Sequence, residues 1–238
     1  MNIIHKITDF ITGFGFDFHL NFIKDNRWKF LTDGFAVTLY VTFGALALGL
    51  LLGVVIAVIR STHDKTGKLK LLNCLCKIYL TIIRGTPTVV QLLIIYFVIF
   101  GSVDVSKLLV AIIAFGINSG AYTAEIIRAG IMSIPKGQFE AGSSLGFSYM
   151  KTMRYIIMPQ AFKTILPALI NECITLLKET SIAGFIALQD LTKGGDIIRS
   201  QTYDPFLPLL AVAAIYLGCV SLISYGVNKL ERRLKRNE

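Results

Sequence analysis

Six charged side chains interrupt otherwise apolar stretches of this 238-residue chain: Lys77, Arg84, Glu125, Glu172, Lys178 and Glu179. A charge at the centre of a bilayer costs about 2.5–3.5 kcal/mol on insertion scales, so each needs a use or a partner. Asn118, Tyr122 and Glu125 recur at i, i+4 and i+7 and share one helix face. Asn171, Thr175 and Lys178 do the same, with Glu172 and Glu179 one step round. Two polar stripes on separate apolar helices predict a shared aqueous cavity. Lys178 offers a donor for a carboxylate, and Glu125 or Glu172 an acceptor for an ammonium or a basic side chain. Thr88 and Gln91 follow Pro87, where unwound backbone would line the same cavity. A structural alternative stands beside each residue. Lys178 and Glu179 can neutralise other buried groups and hold helices together. Glu125 and Arg128, one turn apart, can snorkel to the interface. Arg84 can clamp the carbonyls freed by the break.

The elements that must position these residues are membrane helices. The chain is 54% hydrophobic and 16% charged, with mean hydropathy +0.64. A soluble domain carries roughly 45–50% apolar and 25% charged residues. Disorder is excluded by the high hydrophobicity. Ala36 to Ile59 is 24 residues without a charge, about 36 Å of helix against a ~30 Å hydrocarbon core. Leu108 to Ile127, Ile165 to Leu188 and Phe206 to Val227 read as further spans. Leu71 to Phe100 is apolar at both ends but contains Arg84-Gly85-Thr86-Pro87. Proline removes an intrahelical bond, so this stretch reads as one crossing broken near Pro87. The total is five.

Charge placement supports that count. Arg60–Lys70, Arg128–Lys163 and Asn228–Glu238 together hold fourteen basic residues against four acidic. The alternate segments, 1–35, Gly101–Lys107 and Gln189–Pro205, hold seven basic against eight acidic. The positive-inside rule puts the three basic blocks in the cytoplasm, with the N-terminus outside and the C-terminus inside. The net charge of +9 thus reports topology and does not call for nucleic acid. Residues 1–35 lack signal-peptide features. Ile4, Ile7, Ile11 and Phe14 form a helical stripe suited to the outer membrane surface, with Trp28 and Phe30 as interfacial anchors. The expected division is an extracytoplasmic amphipathic segment at 1–35, a transmembrane domain at 36–230 and a cytoplasmic tail at 231–238.

The basic stretch 133–159, SIPKGQFEAGSSLGFSYMKTMRYIIMP, is not a featureless loop. Ser133 can cap a helix with Pro135 in its first turn, and Gly146 should stop it. Ser148 can cap a second helix running to Pro159, with Met150, Met153, Ile156 and Ile157 as its apolar stripe. Such a helix-turn-helix could insert into a groove on a partner, or rest on lipid.

Glu140-Ala141-Gly142, Gly146, Ile156 and Met158-Pro159 resemble the EAA loop of ABC-importer permeases: Glu-Ala-Ala, three residues, Gly, nine residues, Ile, one residue, Leu-Pro. Gly142 and Met158 depart from that signature. Arg84-Gly85-Thr86-Pro87, Asn118-Ser119-Gly120-Ala121-Tyr122 with Glu125, Ile134-Pro135-Lys136-Gly137-Gln138 and Glu179-Thr180-Ser181 resemble the polar amino-acid uptake family, whose members carry histidine, glutamine, glutamate or arginine. The resemblance spans about residues 31–230. It implies an all-α integral membrane protein with the type I ABC importer (MetI-like) permease fold, in a bacterial cytoplasmic membrane. It implies that the loop docks on a cytoplasmic ATPase dimer, with Gly146 permitting the turn and Glu140 meeting a basic residue of the ATPase. It also implies a second permease subunit, identical or paralogous, and an extracytoplasmic amino-acid-binding protein.

The absences fit that division of labour. The chain has no Gly-x4-Gly-Lys-Ser/Thr phosphate loop, and Gly194-Gly195 reads as part of an outer loop with no strand before it. ATP and Mg are therefore expected on the partner and no cofactor on this chain, which is expected not to be an enzyme. His5, His19 and His63 are scattered, and Cys74, Cys76, Cys173 and Cys219 read as buried or lipid-facing thiols, so no metal site is expected. The rival reading is a proton-coupled secondary transporter working through Glu125 or Glu172.

Overall fold

The computed structural model describes residues 13–235, and every regular element among them is helical. Ile4, Ile7 and Ile11 of the N-terminal stripe lie outside the described residues. Helix α1 (Trp28–Thr66) has 39 residues, roughly 58 Å of rise. It therefore outruns the bilayer, starting eight residues before the expected Ala36 and continuing into the first basic block. Its apolar residues are spread all round, as a lipid-exposed helix requires. Tyr40, Phe43, Leu51, Val55 and Val58 face outward.

The stretch expected as one broken crossing forms α2 (Lys70–Gly85) and α3 (Thr88–Ile94), the latter continued by a π turn over Ile95–Ile99. The two are bent by 110°, far more than a kinked span. Thr86 is extended, the conformation favoured before a proline, and Pro87 follows at φ −64°. Helix α4 (Lys107–Met132) opens on Ser106, whose Oγ accepts the Leu109 N–H at 3.3 Å.

Helix α5 (Lys136–Ser144) is followed by α6 (Tyr149–Thr152), which passes through a π turn at Met153–Ile157 into α7 (Met158–Glu179). Two expectations are corrected here. Pro159 does not end a helix. It lies inside a continuous helical run, directly after the π turn at Met153–Ile157, an irregularity of the kind that accommodates a missing N–H. Ser133 does not cap the loop helix either: it ends α4, its Oγ bonded to Gly130 O at 2.8 Å, and Pro135 precedes α5. A 3-10 segment (Thr180–Ile186), helix α8 (Leu191–Thr202) and α9 (Phe206–Lys235) complete the chain.

Helices α1, α4 and α9 are long and apolar enough to cross a membrane, and the bent α2–α3 pair passes the same test together. Helix α7, with 22 residues, is about 33 Å long, but Asn171, Glu172, Lys178 and Glu179 dilute its hydropathy. Three helices, or four with the bent pair, thus meet the test by length and composition, and with α7 beside them the expected five is roughly compatible.

The centre of the molecule is the α1–α4 seam. Gly49 and Gly53 of α1 meet Ser119, Gly120, Thr123 and Ala124, while Gly116 and Gly120 of α4 meet Leu48 and Leu52. A Cβ on Gly116 would stand 2.7 Å from Leu48 Cδ2. Small residues four apart let two backbones approach where lipid supplies no hydrophobic drive. Beside the seam, Val41, Ala45, Leu92, Val110, Phe115 and Leu176 form the main core.

The basic and near-neutral segments separate in space as they alternate in sequence. Arg60 and Ser61 of α1 stand beside Arg128, Lys136 and Glu140 at one end. At the other end Asn21 donates to Asp204 at 2.6 Å, Arg27 to Gln201 at 3.1 Å and Lys107 to Ala187 O at 3.3 Å. Gly194 and Gly195 lie inside α8, not in a loop. A Cβ on Gly195 would stand 2.5 Å from Val212, and Gly194 abuts Phe30 O. The glycine pair serves close packing.

Candidate functional site

The break between α2 and α3 frees carbonyls that must be satisfied away from water. Gln91 does this. Its Nε2 lies 2.7 Å from Ile83 O, 3.0 Å from Thr86 O and 2.8 Å from Thr86 Oγ1, while Thr86 Oγ1 donates to Ile82 O at 2.8 Å. Gln91 Oε1 accepts from Asn118 Nδ2 at 3.0 Å, and Thr88 Oγ1 lies 3.4 Å from the same nitrogen. Thr88, Gln91 and Asn118 are thus brought together, with Gln91 and Asn118 buried. Their hydrogen bonds are spent holding the broken helix against α4. The clamp expected of Arg84 belongs to Gln91.

Arg84 instead turns toward α4. Its guanidinium lies 5.7 Å from the Tyr122 ring centroid and 4.0 Å from Glu125 Oε2. Glu125 also pairs with Arg60 of α1 and, at 3.1 Å, with Arg128. Its carboxylate is therefore surrounded by three guanidiniums, which compete with any ammonium. The expectation that Glu125 meets a cationic group on a ligand is replaced by this ion cluster, which ties α1, α2 and α4 together. Arg60, Lys77, Leu80, Thr81, Arg84, Gly85, Tyr122, Glu125 and Arg128 surround an open cavity of about 650 Å³.

The second stripe presents differently. Asn171, Thr175 and Lys178 are all exposed on α7, and Glu172 and Glu179 are half-buried beside them. Glu172 accepts from Ser119 Oγ at 2.9 Å, joining α7 to α4. A helix whose uncovered face is polar, inside an apolar molecule, needs water or a partner against that face. Asn118 and Tyr122 share α4 with Ser119, yet Asn118 points into the core and Tyr122 outward. The two stripes therefore do not enclose one cavity inside this subunit.

The loop at 133–159 is a short helical hairpin. Helix α5 ends on a Schellman motif: Phe147 N–H donates to Gly142 O at 3.0 Å and Gly146 N–H to Ser143 O at 3.0 Å. Gly146 takes φ +75°, a left-handed value that costs an ordinary residue roughly 1–2 kcal/mol. Ser148 occupies the cap position of α6 with extended backbone, without a side-chain cap bond. Gly142, which departs from the alanine of the EAA signature, faces Thr152. A Cβ there would stand 2.6 Å from Thr152 Cγ2, so the bulk is carried by Thr152 and the small residue by α5. Phe139 and Tyr149 stack with centroids 6.4 Å apart, and burial pushes the Tyr149 phenol above its ordinary pKa. Glu140 and Ala141 are exposed, Ile156 half-buried and Pro159 exposed. Leu145, Met150 and Tyr155 stand out from the hairpin at 72%, 69% and 63% exposure. An apolar patch of that kind on a protruding element suits a partner.

At the opposite end Asp190 caps α8, accepting from Thr192 N–H at 3.2 Å and Lys193 N–H at 3.1 Å. Sequence reasoning passed over Asp190, although an acid just before an apolar-periodic run is a helix-start signal. No group of three or more metal-ligating side chains comes together among the described residues.

Residues 49–236 match the family described as binding-protein-dependent transport system inner membrane component. The putative glutamine transport system permease protein GlnP of Rickettsia typhi is 39% identical over 207 residues, 86% of this chain and 93% of that protein. The arginine transport system permease protein ArtQ of Bacillus subtilis is 36% identical over 211 residues, 88% and 94% of the two chains. The L-cystine transport system permease protein TcyB of the same organism is 36% identical over 216 residues, 90% of each. Among solved structures, an amino acid ABC transporter crystallised with histidines superimposes with TM-score 0.81 at 40% identity, over 89% of this chain and 98% of that one. The inward-facing MetNI methionine ABC transporter shares the fold with TM-score 0.75 at 20% identity, over 87% and 97%. In such systems ATP hydrolysis belongs to a separate subunit, and substrate arrives on a binding protein. With its helical architecture and these relatives, the chain belongs to the inner membrane components of binding-protein-dependent transport systems, as a multi-pass permease subunit of an ABC importer.

Proposed function

We propose that this permease carries polar amino acids, that it does so as one half of a dimeric pathway, and that the α5–α6 hairpin docks on the ATPase. The observation that carries the reading is the uncovered polar face of α7, where Asn171, Thr175 and Lys178 stand exposed beside Glu172. Facing a second subunit, identical or paralogous, this face lines a wet path with acceptors for an ammonium and donors for a carboxylate. Relatives named for glutamine, arginine and cystine handle different side chains on the same zwitterionic backbone. The positive-inside rule places the basic end, and with it the hairpin and the C-terminus, in the cytoplasm. There Glu140 and the exposed Leu145, Met150 and Tyr155 meet the ATPase, whose closure on ATP moves the hairpin and switches the spans between two states.

The test is uptake of labelled glutamine, arginine and cystine by proteoliposomes holding the permease, its ATPase and its binding protein. ATP-dependent accumulation of at least one is expected. Transport that proceeds without ATP and collapses with a proton ionophore would overturn the reading.

A further inference from the structure

The cavity between α1, α2 and α4 carries a charge imbalance that neither the hairpin nor the α7 face uses. Arg60, Lys77, Arg84 and Arg128 line it against the single carboxylate of Glu125. Four cations and one anion leave an excess of three positive charges in about 650 Å³. That volume lies within the ordinary range of small-molecule pockets, ~300–1,000 Å³. Lys77 is exposed and makes no ion pair among the described residues. Arg84 keeps 45% of its side chain exposed while the Tyr122 ring holds its guanidinium from one face. Like charges gathered at the edge of a low-dielectric region repel one another until an anion joins them. Planar guanidiniums beside a flexible ammonium suit an oxyanion, a carboxylate or a phosphate.

The position of the cavity narrows the source of that anion. Tyr122 stands one turn beyond Ser119, whose hydroxyl binds Glu172 of α7 at 2.9 Å. The acceptors of α7 and the donors of the cavity are therefore neighbours along α4. An amino acid presents both kinds of group, a few bonds apart.

We propose that this cavity is a binding site for the carboxylate of the transported amino acid, with Lys77 and Arg84 as its contacting residues and the Glu125 cluster fixing the arginines. The proposal rests on the amino-acid reading above. It assigns to the basic end of the subunit a station that holds the cargo by its carboxylate and repels cationic groups from the same spot.

The experiment uses the purified permease–ATPase complex in nanodiscs without the binding protein. Radiolabelled glutamine, arginine and cystine are the probes, each compared with its carboxamide and with inorganic phosphate as competitors. The wild-type complex should prefer the acid over the amide by roughly tenfold or more, and Lys77→Gln with Arg84→Gln should bring the two near parity. Arg84→Lys, which keeps the charge, should restore part of the preference and shows that loss is not misfolding. An undiminished acid preference in the double variant overturns the carboxylate site while leaving amino-acid transport intact. Competition by phosphate as strong as by the amino acid overturns it in favour of a general oxyanion site. A wild-type complex that transports none of the three probes in the uptake assay overturns the amino-acid reading and the carboxylate site with it.

Discussion

Gln91 illustrates how a polar residue in an apolar run acquires its role. Its position four residues after Pro87 is visible in sequence, where unwound backbone reads as cavity lining. The structure shows the carboxamide satisfying the break itself, through Ile83 O and Thr86 O, and passing its remaining acceptor to Asn118. Glu125 reads from the sequence either as an acceptor for a ligand or as a partner of Arg128 one turn away, and in the structure it pairs with Arg60, Arg84 and Arg128. Asp190 is a third case, at the end of the molecule opposite the hairpin. It is fully buried, and desolvation raises its carboxyl above the ordinary value of 3.8 even though two backbone N–H groups favour the charged form. A folded-state pKa raised above the unfolded one contributes stability that is complete below pH 3.8 and is lost as pH rises through the folded value. Asp190→Asn keeps a cap acceptor without the charge. It should match the wild type within about 0.5 kcal/mol at neutral pH and lack the wild-type decline between acid and neutral pH. Asp190→Ala should cost about 1 kcal/mol. Thermal unfolding followed by Trp28 fluorescence at several pH values checks both.

At the scale of elements, the hairpin at 133–159 depends on a single left-handed residue. Gly146 was legible in sequence as a stop, and the Schellman bonds from Phe147 and Gly146 give the physical reason. The partner of Gly142 was not legible, because Thr152 lies ten residues on and meets it only after the chain reverses. Gly146→Trp should strain the turn by roughly 1–2 kcal/mol and misdirect α6, while the seam of α1 and α4 stays intact. Uptake should fall at least tenfold, and less ATPase should co-purify with the permease. Wild-type uptake with full co-purification would remove the hairpin from the coupling role. The helix ends show the opposite relation. Pro159 reads as a terminator, yet the π turn before it accommodates the missing N–H and the helix continues past it.

For the whole molecule, charge alternation along the chain predicted which segments share a side, and the contacts agree. Arg60 reaches Glu125 at the basic end, while Asn21 reaches Asp204 at the other. A tag placed after Glu238 should resist external protease in intact cells and be cut after permeabilisation. Cleavage in intact cells would invert the proposed orientation.

The class of fold, the basic and near-neutral ends and the place of the hairpin are legible without any tertiary contact. Each depends on properties that run along the chain: hydropathy over some twenty residues, net charge between spans, and fixed spacings within one or two turns. Which polar groups remain available depends on how the helices pack. Asn118 and Tyr122 are four residues apart on one helix, yet Gln91 takes the first and leaves the second exposed. The packing of α2 beside α1 and α4 sets Arg84 of α2 near Glu125 of α4 and forms the basic cavity. A side chain's partners are fixed by helices far apart in the chain, and that is information no local spacing carries.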